Sequence, residues 1–321
     1  MISLRGTWYI SPTPFTEGGA VDAESLTRLV AAAARWGADG ITILGVMGEA
    51  ADLTAAERDL VLNTVAEAAS GTSKSDGGES GASKSGGGES AGFPFAVGCS
   101  APSAAVVAEN ARRAVEAGAS AVMVSAPPLL KDTDTISAFY KAAAGHLDVP
   151  VIVQDEPAAT GVTMPVSALL AALDACGADT VKLEDPPTPP KITKLLDKRP
   201  GLTVFGGLGG VSAYSELRRG AAGTMTGFAF PEILRAIRLA AEAGDWAGAA
   251  RINDKYLPYI AFEGQQKVGL GIRKEVLRRR GILTTARTRA LSPLPDAATL
   301  ADLDDVLNRV GLTPAPEALT L

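Results

Sequence analysis

A (β/α)8 barrel with a C-terminal helical extension is the fold that this chain of 321 residues predicts, on three observations. Short runs rich in Val, Ile and Thr alternate with longer stretches rich in Ala, Leu, Glu and Arg, and the alternation yields eight strand-like runs before a purely helical end. The composition is 46% hydrophobic but only 5% aromatic, which suits Ala-rich helices packed on buried parallel strands. An open doubly wound sheet satisfies the same alternation, so periodicity leaves both architectures standing.

The strand-like runs fall at 6–11, 40–44, 93–99, 121–125, 149–154, 180–183, 202–206 and 223–227. Between them, amphipathic patterns predict helices at 23–36, 55–69, 104–117, 135–147, 166–175 and 212–219. Asp22 supplies a start signal for the first, and Thr54 with Glu57 three residues later has the capping-box spacing for the second. Gly37, Gly118, Gly177 and Gly220 mark helix ends. The barrel is expected over 1–230. A helical region packed on it is expected over 231–321, with helices at 231–243, 246–262, 267–280 and 298–310 and a tail from 313 trailing over the surface. One stretch breaks the rhythm. The near-repeat GTSKSDGGES, GASKSGGGES within 70–92 has no apolar side chain larger than Ala, and it reads as a flexible insertion between a helix and a strand.

Several function classes are excluded early. A net charge of −6 with scattered Lys and Arg offers no footprint for nucleic acid. No apolar run is long enough to suggest a membrane span, and the first residues lack the pattern of a secretory signal. Cys99 and Cys176 stand alone and His146 is the sole histidine, so neither a metal site nor a Ser-His-Asp triad has material to work with. Free thiols and the absence of a signal pattern give a cytoplasmic expectation.

Lys182, in ADTVKLEDPP, lies at the end of an apolar strand, where a lysine is otherwise costly. Strand C-termini are where barrel enzymes carry reacting groups, and a lysine amine held neutral in a dry mouth is a nucleophile. Glu184 and Asp185 would oppose that neutrality if they faced the amine, so both are expected to point away. The GVMGE turn at 45–49 lets backbone N–H groups approach an anion. Asp155 and Glu156 are candidate general bases at the mouth of strand five, and Glu49 reads as a partner for backbone donors at the start of the second helix. The run Gly206-Gly207-Leu208-Gly209-Gly210 lies too late in the chain for a dinucleotide fingerprint.

Taken together, TPF at 13–15, GVMGE followed by LTAAER, VPVIVQDEPAATGV, the Lys182 strand, GAAGTMTGFAFPE at 220–232 and EAGDWAGA at 242–249 resemble the dihydrodipicolinate synthase and N-acetylneuraminate lyase family. The resemblance implies the closed barrel, a Schiff base on Lys182, and carboxylate binding at the turn that carries Val46 and Met47. It also implies contacts to a keto acid from Gly206 or Gly207 and a pocket wall at Thr226. No cofactor or metal is implied, the partner is a small keto acid, and the assembly is a homo-oligomer, tetramer or dimer. The departures matter equally. Where the family carries a proton-shuttling tyrosine and a hydroxyl that holds it, this chain has Gln154, Val46 and Met47, none of which relays a proton. Ala159 replaces the arginine of the synthase branch, and Pro-Ala-Ala-Thr-Gly with Thr160 is closer to the lyase branch.

The functional expectation is therefore a Schiff-base aldolase for a 2-oxo acid, not the synthase itself. Lys182 is its nucleophile, with Gln154 and Glu156 beside it. The alternatives are a dehydratase of a hydroxylated keto acid using the same imine, with Glu156 as the acid, or a keto-acid-binding regulatory barrel. Val46, Met47, Gln154 and Ala159 further predict a pocket that favours an apolar distal group over a polyhydroxylated sugar acid.

Overall fold

The computed structural model describes residues 4–72, 92–289 and 293–321. Its strands are β1 (Gly6–Ile10), β2 (Gly40–Ile43), β3 (Phe95–Gly98), β4 (Ala121–Ser125), β5 (Val151–Asp155), β6 (Thr180–Leu183), β7 (Thr203–Gly206) and β8 (Gly223–Thr226). Each pairs in parallel with the next, and β8 closes on β1 from Gly6↔Gly223 to Tyr9↔Thr226. That closure decides between the two architectures in favour of the barrel.

Side chains alternate across the closed wall, as a pleated strand requires. Inside, Trp8, Ile10, Ala96, Ala121, Met123, Ile152, Phe205 and Met225 fill the ring, with Met47 packed against them. Gly40 is needed there, because a Cβ would stand 2.7 Å from the Trp8 ring. Outside, Ile41, Ile43, Val97, Val122, Val124, Val153, Val181, Leu183 and Val204 meet the helices.

The helices of the ring are α1 (Ala23–Arg35), α2 (Ala55–Ser70), α3 (Ala104–Glu116), α4 (Thr133–Ala144), a single turn α5 (Pro157–Thr160), α6 (Val166–Cys176), α7 (Thr188–Lys198) and α8 (Ala213–Leu217). Asp22 caps α1 through Ser25 N–H, and Thr54 and Glu57 close the expected capping box on α2. Helix α7 is not among the helices that the sequence pattern predicts, and its start carries Pro187, Pro189 and Pro190. They fall at its first turn, where proline costs no intrahelical hydrogen bond. Most of the low-complexity insertion, 73–91, lies outside the described residues. Its flanks meet at the end of α2, where Phe93 N–H donates to the Ala69 carbonyl at 2.9 Å.

Past the barrel come α9 (Pro231–Glu242), α10 (Trp246–Glu263), α11 (Gly269–Arg279) and α12 (Ala297–Val310). Buried Arg280, just after α11, donates to the Ala315 and Glu317 carbonyls and pairs with Glu232 of α9 at 2.7 Å. The tail expected to trail over the surface is thus fastened to the body. Among the described residues no helix is long and apolar enough to cross a membrane.

Candidate functional site

The register β4–β5–β6–β7 sets Ser125 beside Gln154, Gln154 beside Lys182, and Lys182 beside Phe205. Parallel partners share a face, so all four side chains point into the ring at its C-terminal end. Lys182 lies inside the mouth and is 4% exposed.

The amine is not alone. Lys182 Nζ donates to Glu184 Oε2 at 2.5 Å, which corrects the expectation that Glu184 would turn away. The pleat decides this: two residues after Lys182, Glu184 returns to the same face. Gln154 Nε2 donates to the same Glu184 oxygen at 2.9 Å and to Glu156 Oε2 at 2.7 Å. The other Glu184 oxygen accepts from Leu208 N–H at 3.1 Å. Gly207 makes room for this carboxylate, because a Cβ there would lie 2.3 Å from Glu184 Oε1. Burial pushes the Glu156 carboxyl up to about 7, the Glu184 charge adds to the rise, and Lys182 opposes it.

Asp185 does turn away, to Lys191 of α7 at 2.7 Å. Asp155 is a second correction. Strand β5 extends one residue beyond the expected run, and the pleat directs Asp155 outward to Lys191 at 2.6 Å, away from the mouth. Burial lifts its carboxyl to about 6 against the pull of Lys191.

Val46 and Met47 open a single 3-10 turn in which Gly48 and Glu49 N–H bond back to the Gly45 and Val46 carbonyls. The Met47 side chain caps the inner apolar cluster, whereas Val46 is 49% exposed and does not join it. Glu49 serves no donor of α2. Its carboxylate takes the buried Lys274 amine and the Arg289 N–H, tying the turn to the C-terminal helices. The Thr160 hydroxyl is engaged within its own loop, donating to the Glu156 carbonyl at 2.9 Å and accepting from Val162 N–H at 3.1 Å. Thr226 Oγ1 accepts from Gly209 N–H at 3.0 Å and so holds the glycine turn after β7. Behind that turn, Gly206 faces Glu216, whose carboxylate would stand 1.7 Å from a Cβ. Burial raises Glu216 to about 7.

The structure therefore gathers Lys182, Gln154 and Glu156 into one hydrogen-bonded row and adds Glu184, which sequence reasoning set aside. A cavity of about 250 Å³ lined by Leu44, Leu53, Arg58, Val97, Asn110 and Arg113 lies on the other side of the wall, and Lys182 is not among its lining residues.

The comparisons with known proteins agree with the fold. The pattern of the Dihydrodipicolinate synthetase family matches residues 4–76 and 94–301. The chain belongs to this family. The match breaks at 77–93, which takes in most of the low-complexity insertion. A family relative from Azospirillum brasilense named L-2-keto-3-deoxyarabonate dehydratase is 28% identical over 95% of this chain and 94% of its own length. A 4-hydroxy-tetrahydrodipicolinate synthase from Chlorobium luteolum is also 28% identical, over 96% of this chain and 98% of its own. Among solved structures, dihydrodipicolinate synthase from Rhodopseudomonas palustris superposes with a TM-score of 0.83 at 32% identity, covering 95% of this chain and 97% of that one. Family members of nearly equal likeness thus carry different activities, and the chain is placed in a superfamily of lyases and dehydratases.

Proposed function

We propose that this chain is a lyase that captures a 2-oxo acid as an imine on Lys182, and that it removes water from its substrate rather than cleaving a carbon–carbon bond. The observation that carries the reading is the Lys182 amine inside the barrel mouth, in one hydrogen-bonded row with Gln154 and Glu156. Addition of the amine to the 2-oxo carbon with loss of water gives a protonated imine. That group draws electrons from the neighbouring carbon, so loss of a C3 proton leaves an enamine, and the reaction needs no other electron sink.

Dehydration then requires an acid near the departing hydroxyl. Glu156, at the rim and with its carboxyl near 7, is a group that can hold a proton at neutral pH and release it. Gln154 fixes its direction. The full-length likeness to a protein named as a dehydratase supports the same choice. In this reading the Val46 and Met47 N–H groups, first in their 3-10 turn and so without intrahelical partners, take the substrate carboxylate. Gly206 and Gly207 give a flat backbone wall, and Thr160 and Thr226 shape the loops around it. The acidic row also revises the pocket expected from Val46 and Met47: hydroxyl groups on the distal part of a substrate find partners in Glu156 and Gln154.

Assembly as a homo-oligomer belongs to the same proposal, with apolar Leu129, 85% exposed, and Val46 on the mouth loops as candidate contact residues, and a cytoplasmic location is proposed with it. The test of function is turnover. Purified protein is incubated with 3-deoxy-2-oxo acids that carry a C4 hydroxyl, and products are read by mass. Loss of one water supports the proposal, whereas pyruvate and an aldehyde as the products would restore the aldolase assignment.

A further inference from the structure

We infer that Glu184 is the base that takes the C3 proton from the Lys182 imine, in place of the hydroxyl relay that this chain lacks. The inference rests on the imine reading above and adds a catalytic residue to it. Three facts of geometry carry it. First, Glu184 Oε2 is 2.5 Å from Lys182 Nζ. The carbon that must lose its proton lies only two covalent bonds from that nitrogen, so the carboxylate that touches the amine is within reach of it. Second, the carboxylate is held from both sides. Oε2 accepts from Gln154 at 2.9 Å and Oε1 from Leu208 N–H at 3.1 Å, which fixes its plane before any substrate arrives. Third, Gly207 leaves the space the carboxylate occupies, with Glu184 Oε1, Cγ and Cδ all within 2.5 Å of where a Cβ would be.

The other candidates are spoken for. Asp155 and Asp185 turn to Lys191 outside the ring. The Ser125 hydroxyl is engaged with Ser100 at 2.9 Å. Gln154, Val46 and Met47 hold no transferable proton.

The step balances without a further reactant. The C3 proton passes to a Glu184 oxygen, and the C3–H electron pair becomes the C2–C3 double bond. The imine π electrons settle on nitrogen as the positive charge is cancelled. In the exchange reaction the proton on Glu184 returns to C3. In dehydration Glu156 protonates the departing hydroxide to water, and Glu184 then releases its proton to solvent while Glu156 regains one, so that one water is lost and both carboxyls are reset.

The experiment separates capture from proton removal. Wild type, Glu184→Gln, Glu184→Asp and Gly207→Ala are each mixed with pyruvate in deuterium oxide. Borohydride reduction measures the fraction held as imine, and NMR follows deuterium entering C3. Exchange is expressed per trapped imine and followed from about pH 6 to about pH 10, so that a changed amine proton affinity does not masquerade as lost base. Glu184→Gln is expected to lower this ratio about 10²–10⁴-fold while imine still traps. Gly207→Ala, which keeps the charge but displaces the carboxylate, is expected to lower it about tenfold or more, and Glu184→Asp to retain part of it. An unchanged ratio in Glu184→Gln overturns the inference, as does a loss of trapping with no change in exchange per imine. Failure of the wild type to trap pyruvate would instead strike the imine reading itself.

Discussion

Replacing Glu216 by Gln tests the electrostatics behind the mouth. Glu216 is fully buried; Thr188 donates to its Oε1 at 2.5 Å, and among the described residues Oε2 has no hydrogen-bond partner. Burial, with the Glu184 charge as a lesser contribution, raises its carboxyl from 4.5 to about 7. A raised acid binds its proton more tightly in the folded chain than in the unfolded one. Its contribution to stability is therefore complete below about pH 4.5 and is lost as pH climbs through 7. Holding the carboxyl back over that range corresponds to about 3 kcal/mol, an upper figure because the chain can relax around the charge. Glutamine keeps the shape and the acceptor for Thr188 but has nothing to ionise. Urea unfolding of both proteins at pH 5 and pH 8 supplies the measurement. Whatever constant offset the amide introduces, the variant is expected to gain on the wild type by about 2.5 kcal/mol at most between the two pH values, since a part of the effect is already lost at pH 5. A difference that does not move with pH would refute the reasoning.

Other substitutions probe the parts that hold the site. Glu49→Ala leaves the fully buried Lys274 ammonium without its carboxylate, and a loss of about 3–5 kcal/mol is expected in denaturant unfolding. Phe205→Ala opens a void inside the ring next to Lys182, at an expected cost of about 3–5 kcal/mol read from the unfolding midpoint. Deleting residues 313–321 removes the Ala315 and Glu317 carbonyls from Arg280 and the Leu319 N–H from Glu232; a loss of about 2 kcal/mol or more is expected, seen as a lower Tm.

Much of the architecture was legible because its signals are local. The periods of the strands and helices, Asp22 and the Thr54–Glu57 box at helix starts, and glycines at helix ends are all set by neighbours in sequence. Ring closure is a long-range event and rested on resemblance. Helix α7 carries prolines in its first turn, where they are compatible with a helix, and it is absent from the sequence-based expectations. In the candidate site, Lys182, Gln154 and Glu156 are residues the sequence singles out and the structure brings into one row, whereas two carboxylates lie elsewhere than expected for one reason. Which face a strand residue occupies depends on parity, and a boundary misplaced by one residue left Asp155 in the mouth when the pleat turns it out to Lys191. Glu184 lies two residues beyond Lys182 and so on the same face of the strand, where its charge meets the amine instead of avoiding it. The same placement explains Gly207, whose missing side chain is understood only once Glu184 is seen beside it.

The most direct check is to find where a 2-oxo acid becomes attached. After reduction with borohydride in the presence of pyruvate, digestion and mass spectrometry locate the added mass. The account predicts one modified peptide, that containing Lys182, and none when Lys182→Met is treated alike. Modification of another lysine, such as Lys191 or Lys274, with Lys182 untouched would contradict it.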